Sequence, residues 1–311
     1  MHIVIAGGSG FLGQALMRAL QRNGHRLTIL TRRRPTAGAR EEATAVSTVS
    51  TVTWTPNGDA GPWATALNGA DVIINLAGEP IAAGRWTEAK KQRIADSRVH
   101  ATGSIAAAIA AAATPPPLLI NASGVGYYGP CGDEVVTESQ PAGRDFLAKV
   151  CVQWEAEAMR AGSPRTRVIC VRTGLVLDPD EGALPQMLLP FRFGLGGPLG
   201  SGRQYWPWIH RDDWVALVLF LVTASGVSGP VNASAPTPVT NREFTRVLGR
   251  VLHRPAILPA PAFGLRLLLG EMADALLLSG QRAVPAAAER LGFRFAHTDL
   301  EAALTDLLST R

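Results

Sequence analysis

Gly7, Gly10 and Gly13 stand three apart in the run Gly7-Gly8-Ser9-Gly10-Phe11-Leu12-Gly13. An apolar strand pattern over 2–6 precedes the run, and a helical pattern over 11–22 follows it. Each glycine suits one task. The first permits a tight turn, the second lets backbone approach a pyrophosphate, and the third lets helix and strand pack closely. The free N–H groups and the dipole at the helix N-terminus favour an anion. The order strand, loop, helix, second strand separates a dinucleotide loop from a bare glycine-rich turn. Contacts to the dinucleotide are therefore expected from Gly7, Ser9, Gly10, Phe11, Leu12 and Gly13. The second strand, 26–30, runs into Thr31-Arg32-Arg33-Arg34, with no acid until Glu41. An NAD site usually places Asp or Glu there for the ribose 2′-hydroxyl. Arg32 and Arg33 can instead pair with a 2′-phosphate. The cofactor expected is NADP(H), in preference to NAD.

Three further side chains could move a proton. Ser123 directly follows the strand over 118–122, at the strand end where open α/β sheets bind ligands. Tyr128 follows on the same loop. His210 sits beside Trp206 and Trp208, and could serve as a proton donor or simply satisfy a local hydrogen bond before a helix. Arg192 and Arg203 could clamp an anionic substrate or be surface charges. Arg85-Trp86 could line a pocket or start a helix. Cys151 reads as a buried thiol rather than a nucleophile. No metal is expected, because the six histidines are scattered and the three cysteines lack C-x-x-C spacing. That sparse, odd cysteine count suits a reduced, cytoplasmic compartment.

These residues need a scaffold. Apolar runs at 2–6, 26–30, 51–55, 71–76, 118–122 and 167–172 alternate with helical patterns at 11–22, 86–113 and 145–161. Unbroken apolar runs suit strands covered on both faces, and the alternation predicts an α/β, Rossmann-type doubly wound parallel sheet. Residues 1–237 form the dinucleotide domain, with a smaller substrate lobe built from segments beyond about 178. Residues 259–308 form a small, mostly helical unit. The segments 35–50 and 191–208 read as loops, and 230–238 and 255–261 as connections. The net charge of +5 is almost wholly arginine, and the longest basic run is Arg32–Arg34, so no nucleic-acid partner is expected. The apolar stretches 215–222 and 265–278 are too short or too interrupted to span a bilayer, so no membrane partner is expected. The strand pattern at 2–6 leaves no room for a signal peptide. The expected partner is a small-molecule substrate. A homodimer could form through the helices 86–113 and 145–161, whose alanine-rich faces suit core packing equally.

The glycine spacing, Asn75-Leu76-Ala77-Gly78 and Ser123…Tyr127-Tyr128-Gly129 resemble the short-chain dehydrogenase/reductase superfamily, in its extended or atypical branch. Within it, Leu76–Ile81, Arg85-Trp86, Ser97-Arg98, Trp154-Glu155, Arg172–Leu177, Trp208-Ile209-His210 and Leu291–Phe295 resemble the NAD-dependent epimerase family proteins that carry a C-terminal domain of unknown function. The resemblance implies cofactor contacts at Leu76, Ala77 and Gly78, and oxidoreductase or epimerase-like chemistry on a small or sugar-like substrate. One departure from the superfamily matters most. A Tyr-x-x-x-Lys pair, whose lysine lowers the tyrosine pKa for acid–base work, has no counterpart. Counting from Lys149 gives Asp145, and counting from Trp154-Glu155 gives Leu147 and Cys151. Sugar epimerases tend to place Ser or Thr where this chain has Gly124. Two outcomes follow: slow reduction of an activated carbonyl, or cofactor binding with little or no turnover.

Overall fold

The computed structural model describes residues 1–32, 42–43 and 48–309. Strands and helices alternate through the first half, as β1 (His2–Ala6), α1 (Phe11–Arg22), β2 (Arg26–Thr31), β3 (Glu42–Ala43), β4 (Thr48–Thr53), β5 (Val72–Asn75), α2 (Glu88–Ala111), β6 (Leu118–Gly124), β7 (Val135–Val136), α3 (Phe146–Met159) and β8 (Arg167–Thr173). The second half is more broken: β9 (Leu175–Leu177), α4 (Leu184–Arg192), β10 (Tyr205–Trp206), β11 (Trp208–His210), α5 (Arg211–Thr223), β12 (Gly229–Ala233), β13 (Val239–Thr240), α6 (Asn241–Val251), α7 (Ala262–Leu269), α8 (Glu271–Ala273), β14 (Arg282–Ala283), α9 (Ala286–Arg290) and α10 (Leu300–Ser309).

The central sheet runs in the order β12-β8-β6-β5-β1-β2-β4-β3. All its pairings are parallel except the edge pair β3–β4. Its central strands are buried on both faces, as the unbroken apolar runs require. One face packs α1, α5 and α9 through Leu16, Leu20, Trp214, Leu217 and Ala287. The other packs α2 and α3 through Ala101, Ile105, Ile109 and Ala158, so alanines of both helices serve the chain's own core. A third cluster joins β9 to β11, α4, α6 and α10, with Trp208 and Phe244 at its centre.

Two sequence expectations are corrected. Residues 230–238 were expected to be a connection, yet Gly229–Ala233 is a strand beside β8. Pro230 lacks a backbone donor, and an edge strand is where a sheet tolerates that. The glycine-rich stretch 191–208 was expected to be one long loop, yet it carries Tyr205–Trp206 and Trp208–His210 as short strands. The C-terminal segment is stitched into the rest of the molecule. β14 pairs with β7, Ser234 Oγ donates to the Ala283 carbonyl at 3.1 Å, and Gln281 Nε2 donates to the Gly129 carbonyl at 2.9 Å.

Candidate active site

The glycine loop sits at the C-terminal end of β1. Gly7 has φ +80°, and a Cβ there would lie 2.7 Å from the Leu76 carbonyl. A Cβ on Gly13 would come within 2.3 Å of the Gly7 oxygen. These two glycines thus let α1 and the loop after β5 close on the turn. Gly10 differs: a Cβ there would meet only the Gly7 oxygen, at 3.4 Å. Ser9 and Gly10 are exposed, and Gly10 caps α1 without a side-chain hydrogen bond. The first N–H groups of the helix, on Phe11, Leu12 and Gly13, have no acceptor within the helix and adjoin a turn where no side chain comes within 4 Å of a Cβ placed on Gly10. That is the shape a pyrophosphate needs. Leu76, Ala77 and Gly78 form the neighbouring wall. Leu76 N–H donates to the Ala6 carbonyl at 2.9 Å, and Ala77 N–H to Asn75 Oδ1 at 3.2 Å. Phe11 packs beneath Gly182, where a Cβ would meet its ring at 3.1 Å. Arg32 is exposed directly after β2; Arg33 lies outside the described residues.

A buried amide network fixes the floor. Asn75 Nδ2 donates to Thr102 Oγ1 at 2.9 Å and to Asn121 Oδ1 at 2.7 Å. Trp154 Nε1 donates to Thr102 Oγ1 at 2.9 Å. The network ties β5, β6, α2 and α3 in register. Above it, Arg98 Nη1 donates to the carbonyls of Glu79 and Ile94 at 3.1 and 2.9 Å. Its guanidinium lies 5.1 Å from the Trp154 ring and would be 3.1 Å from a Cβ on Gly78.

Ser123 is buried at the end of β6, and its hydroxyl donates to Glu155 Oε1 at 2.7 Å. Arg172 grips the same carboxylate with two bonds, Nε to Oε1 and Nη2 to Oε2, both at 2.8 Å. Arg172 Nη1 then donates to the Tyr128 hydroxyl at 3.0 Å, and that hydroxyl donates to Asn232 Oδ1 at 2.7 Å. Asn232 is held in turn: its N–H donates to Glu138 Oε1 and its Nδ2 to the Val284 carbonyl, both at 2.9 Å. The chain of bonds runs from the end of β6 to the C-terminal segment. Burial would pull Arg172 down, but the Glu155 carboxylate outweighs it and holds the guanidinium protonated more firmly than in a free arginine. Burial pushes the Tyr128 phenol up to about 12. Tyr127 is partly exposed, with the Arg172 guanidinium 3.4 Å above its ring.

The two positions of the missing dyad face the same strand end. A Cβ on Gly126 would touch Leu147 at 3.2 Å, and one on Gly124 would meet Cys151 Sγ at 3.8 Å. Burial pushes the Cys151 thiol up to about 11, which suits an inert buried thiol. Lys149 is exposed. His210 lies elsewhere. It caps α5, its Nδ1 accepting from the Asp212 N–H at 3.1 Å, and its ring stacks on His297 at 3.8 Å. Its buried Nε2 lies 3.3 Å from Asp306 Oδ2, within ion-pair range but without hydrogen-bond geometry. Ser123 and Tyr128 thus share one network, which His210 does not join. Trp86 is buried against Phe146, while Arg192 and Arg203 are exposed.

Glu155, Arg172, Arg98 and Asn232 escaped the sequence-based list of functional residues. The first three stand in stretches that carry the family resemblance, which was the available signal. Asn232 had none, because its strand was read as a connection.

The doubly wound sheet, the open glycine loop at its centre and a hydroxyl at the end of the neighbouring strand define a dinucleotide-binding α/β protein of the short-chain dehydrogenase/reductase type. The chain belongs to the NAD dependent epimerase/dehydratase family, whose model matches residues 3–233; a domain of unknown function, DUF1731, matches residues 260–307. It is 43% identical to an epimerase family protein of Mycobacterium leprae, ML0860, over 97% of this chain and 94% of that protein. It is 42% identical to YfhF of Bacillus subtilis, over 100% and 99% of the two chains. Among solved structures, human epimerase family protein SDR39U1, crystallised with NADPH, superposes with a TM-score of 0.89 at 34% identity, covering all of both chains.

Proposed function

We propose that this chain is an NADPH-dependent oxidoreductase or epimerase-like enzyme for a small or sugar-like carbonyl or hydroxyl substrate. The observation that carries the reading is the glycine loop: Gly10 is exposed at the first turn of α1, and no side chain comes within 4 Å of a Cβ placed on it. The NADPH of the human relative supports the choice of cofactor. When bound, the nicotinamide supplies or accepts a hydride. The chain's own residues do the rest. The amides of Phe11, Leu12 and Gly13 receive the pyrophosphate. Leu76, Ala77 and Gly78 wall the cofactor, and Arg32 pairs with the 2′-phosphate, assisted by Arg33. Ser123 donates to the substrate oxygen once its single O–H turns away from Glu155 Oε1, its acceptor at rest. Glu155, whose charge Arg172 balances, holds the Ser123 Oγ in place at the end of β6. Tyr128 acts as a positioning residue, because its phenol is spent on Asn232 and stays protonated at neutral pH. His210 is assigned to capping α5 rather than to the reaction.

A second reading is a cofactor-binding protein with little turnover. It is favoured by Leu147 and Cys151 standing where a Tyr–Lys pair would act. Calorimetric titration tests the cofactor assignment that both readings share. NADPH should bind more tightly than NADH, and Arg32→Asp should narrow or invert the preference by losing a charged bidentate partner. Equal affinity of the unaltered chain for both cofactors would remove Arg32 from the site.

A further inference from the structure

Large apolar side chains stand exposed along one face of the substrate lobe. Phe193, Leu195, Ile257, Phe263, Leu267 and Leu268 are each between 60 and 77% exposed. They come from two stretches, 193–200 and 257–268, that backbone hydrogen bonds join. The Leu258 N–H donates to the Gly196 carbonyl at 3.1 Å, the Ala260 N–H to the Pro198 carbonyl at 2.9 Å, and the Gly200 N–H to the Ala260 carbonyl at 2.8 Å. α7 starts two residues after Ala260 and buries none of its residues. An apolar face of this kind marks an interaction surface.

The stretches that carry it hold basic side chains and no acidic ones. Residues 182–211 and 244–270 contain arginines but not one Asp or Glu. Arg192 adjoins Phe193, Arg254 lies three residues before Ile257, and neither has an ion-pair partner among the described residues. A groove beside the patch is lined by Arg246, Arg250, His253, Arg254, Ala256 and Ile257. Arg246 and Arg250 are held by Glu243 and Glu301. The acids that follow α7, Glu271 and Asp274, are taken up by Lys91 and Arg266.

From this juxtaposition of protruding apolar side chains and unpaired arginines, we propose that the face docks on the surface of an anionic phospholipid bilayer. The apolar side chains enter the boundary between headgroups and acyl chains, and Arg192, Arg254 and the groove meet lipid phosphates. Among the described residues no helix is long and apolar enough to cross a membrane, so the docking is peripheral. The sequence expectation of no membrane partner rested on spanning stretches alone. A symmetric pair of copies fits less well, since a two-fold contact sets the patch against itself and brings like charges together.

The test is co-sedimentation of the full chain with vesicles of phosphatidylcholine alone or mixed with phosphatidylglycerol. Binding should be at least about tenfold stronger to the anionic vesicles and weaken with salt. It should fall at least about tenfold in Leu267→Ser/Leu268→Ser and in Arg192→Glu/Arg254→Glu, both of which change only exposed side chains and should keep the thermal unfolding profile. No binding to anionic vesicles overturns the proposal, as does binding that both double variants retain. A lipid-free dimer that Leu267→Ser/Leu268→Ser converts to monomer would assign the face to a second copy and overturn it equally.

Discussion

The two halves of the candidate site are built from different materials. The cofactor half is main chain: glycines that admit close approach, free N–H groups at a helix start, and a wall of backbone at Leu76–Gly78. The substrate half is side chain: Ser123, Glu155, Arg172, Tyr128 and Asn232 joined in one buried hydrogen-bonded series. Main-chain sites depend on conformations that few residues permit, so their chemistry is written locally. Side-chain networks depend on which elements the fold brings together. Their parts can lie a hundred residues apart, as Tyr128 and Asn232 do.

The halves should therefore break differently. Arg172→Ala should have the largest effect on stability. It leaves the Glu155 carboxylate buried without its cation, at about 3–5 kcal/mol, read as a fall in denaturant midpoint. Glu155→Gln/Arg172→Met, which removes both charges, should recover part of that loss. If Arg172→Ala unfolds like the unaltered chain, the pair is not the brace described. Gly10→Val should act the other way round. The added side chain meets only the Gly7 oxygen at 3.4 Å, and φ is −81°, so the fold should persist. Cofactor affinity should fall on the order of 100-fold, about 2.7 kcal/mol, because the side chain occupies the pyrophosphate surface. Unchanged affinity in a calorimetric titration would place the phosphates elsewhere.

The smallest effect concerns His210, outside both halves. Burial, then the neighbouring His297, lowers its pKa below the free value, while Asp212, Asp306 and Asp213 oppose the shift. The unfolded chain then binds the extra proton more readily than the folded one. Stability from this group is complete above about pH 6.5, and it is lost as pH falls through and below that value. Protonation of Nδ1 also removes the acceptor that caps α5. His210→Asn keeps a capping side chain, and should flatten the change in unfolding temperature between neutral and mildly acidic buffer. His2 and His25, lowered chiefly by burial, should leave a residual slope. An unaltered slope would remove His210 from the acid response.

The same contrast explains what the sequence could convey. Gly7, Gly10 and Gly13 announce their roles because three-residue spacing and the flanking strand and helix are contiguous. The buried strands announce themselves as unbroken apolar runs. β12 did not, since Pro230 and the prolines beyond the strand mimic a connection, and only the strand's place at the sheet edge permits Pro230. Ser123 was legible as a strand-end hydroxyl, but its acceptor was not. Glu155 lies on α3, and only packing of that helix against β6 and β8 sets it between Ser123 and Arg172. Tyr128 looked like a free phenol on a loop. Its burial by Arg172 and Asn232 requires a C-terminal segment that returns across the sheet. Arg33 lies outside the described residues, so only Arg32 is located at the end of β2.

The proposed division of labour within the substrate half can be tested through NADPH consumption across a panel of activated carbonyl compounds, comparing the unaltered chain with Ser123→Ala and Tyr128→Phe. Slow turnover is expected. Ser123→Ala should lower kcat at least about tenfold with NADPH affinity nearly unchanged, because a positioned proton donor contributes about 10²–10⁴-fold. Tyr128→Phe should leave kcat within about twofold while lowering stability by about 1 kcal/mol, the worth of a buried hydrogen bond. The reverse pattern, with kcat lost in Tyr128→Phe and kept in Ser123→Ala, would contradict the assignment of the substrate oxygen to Ser123.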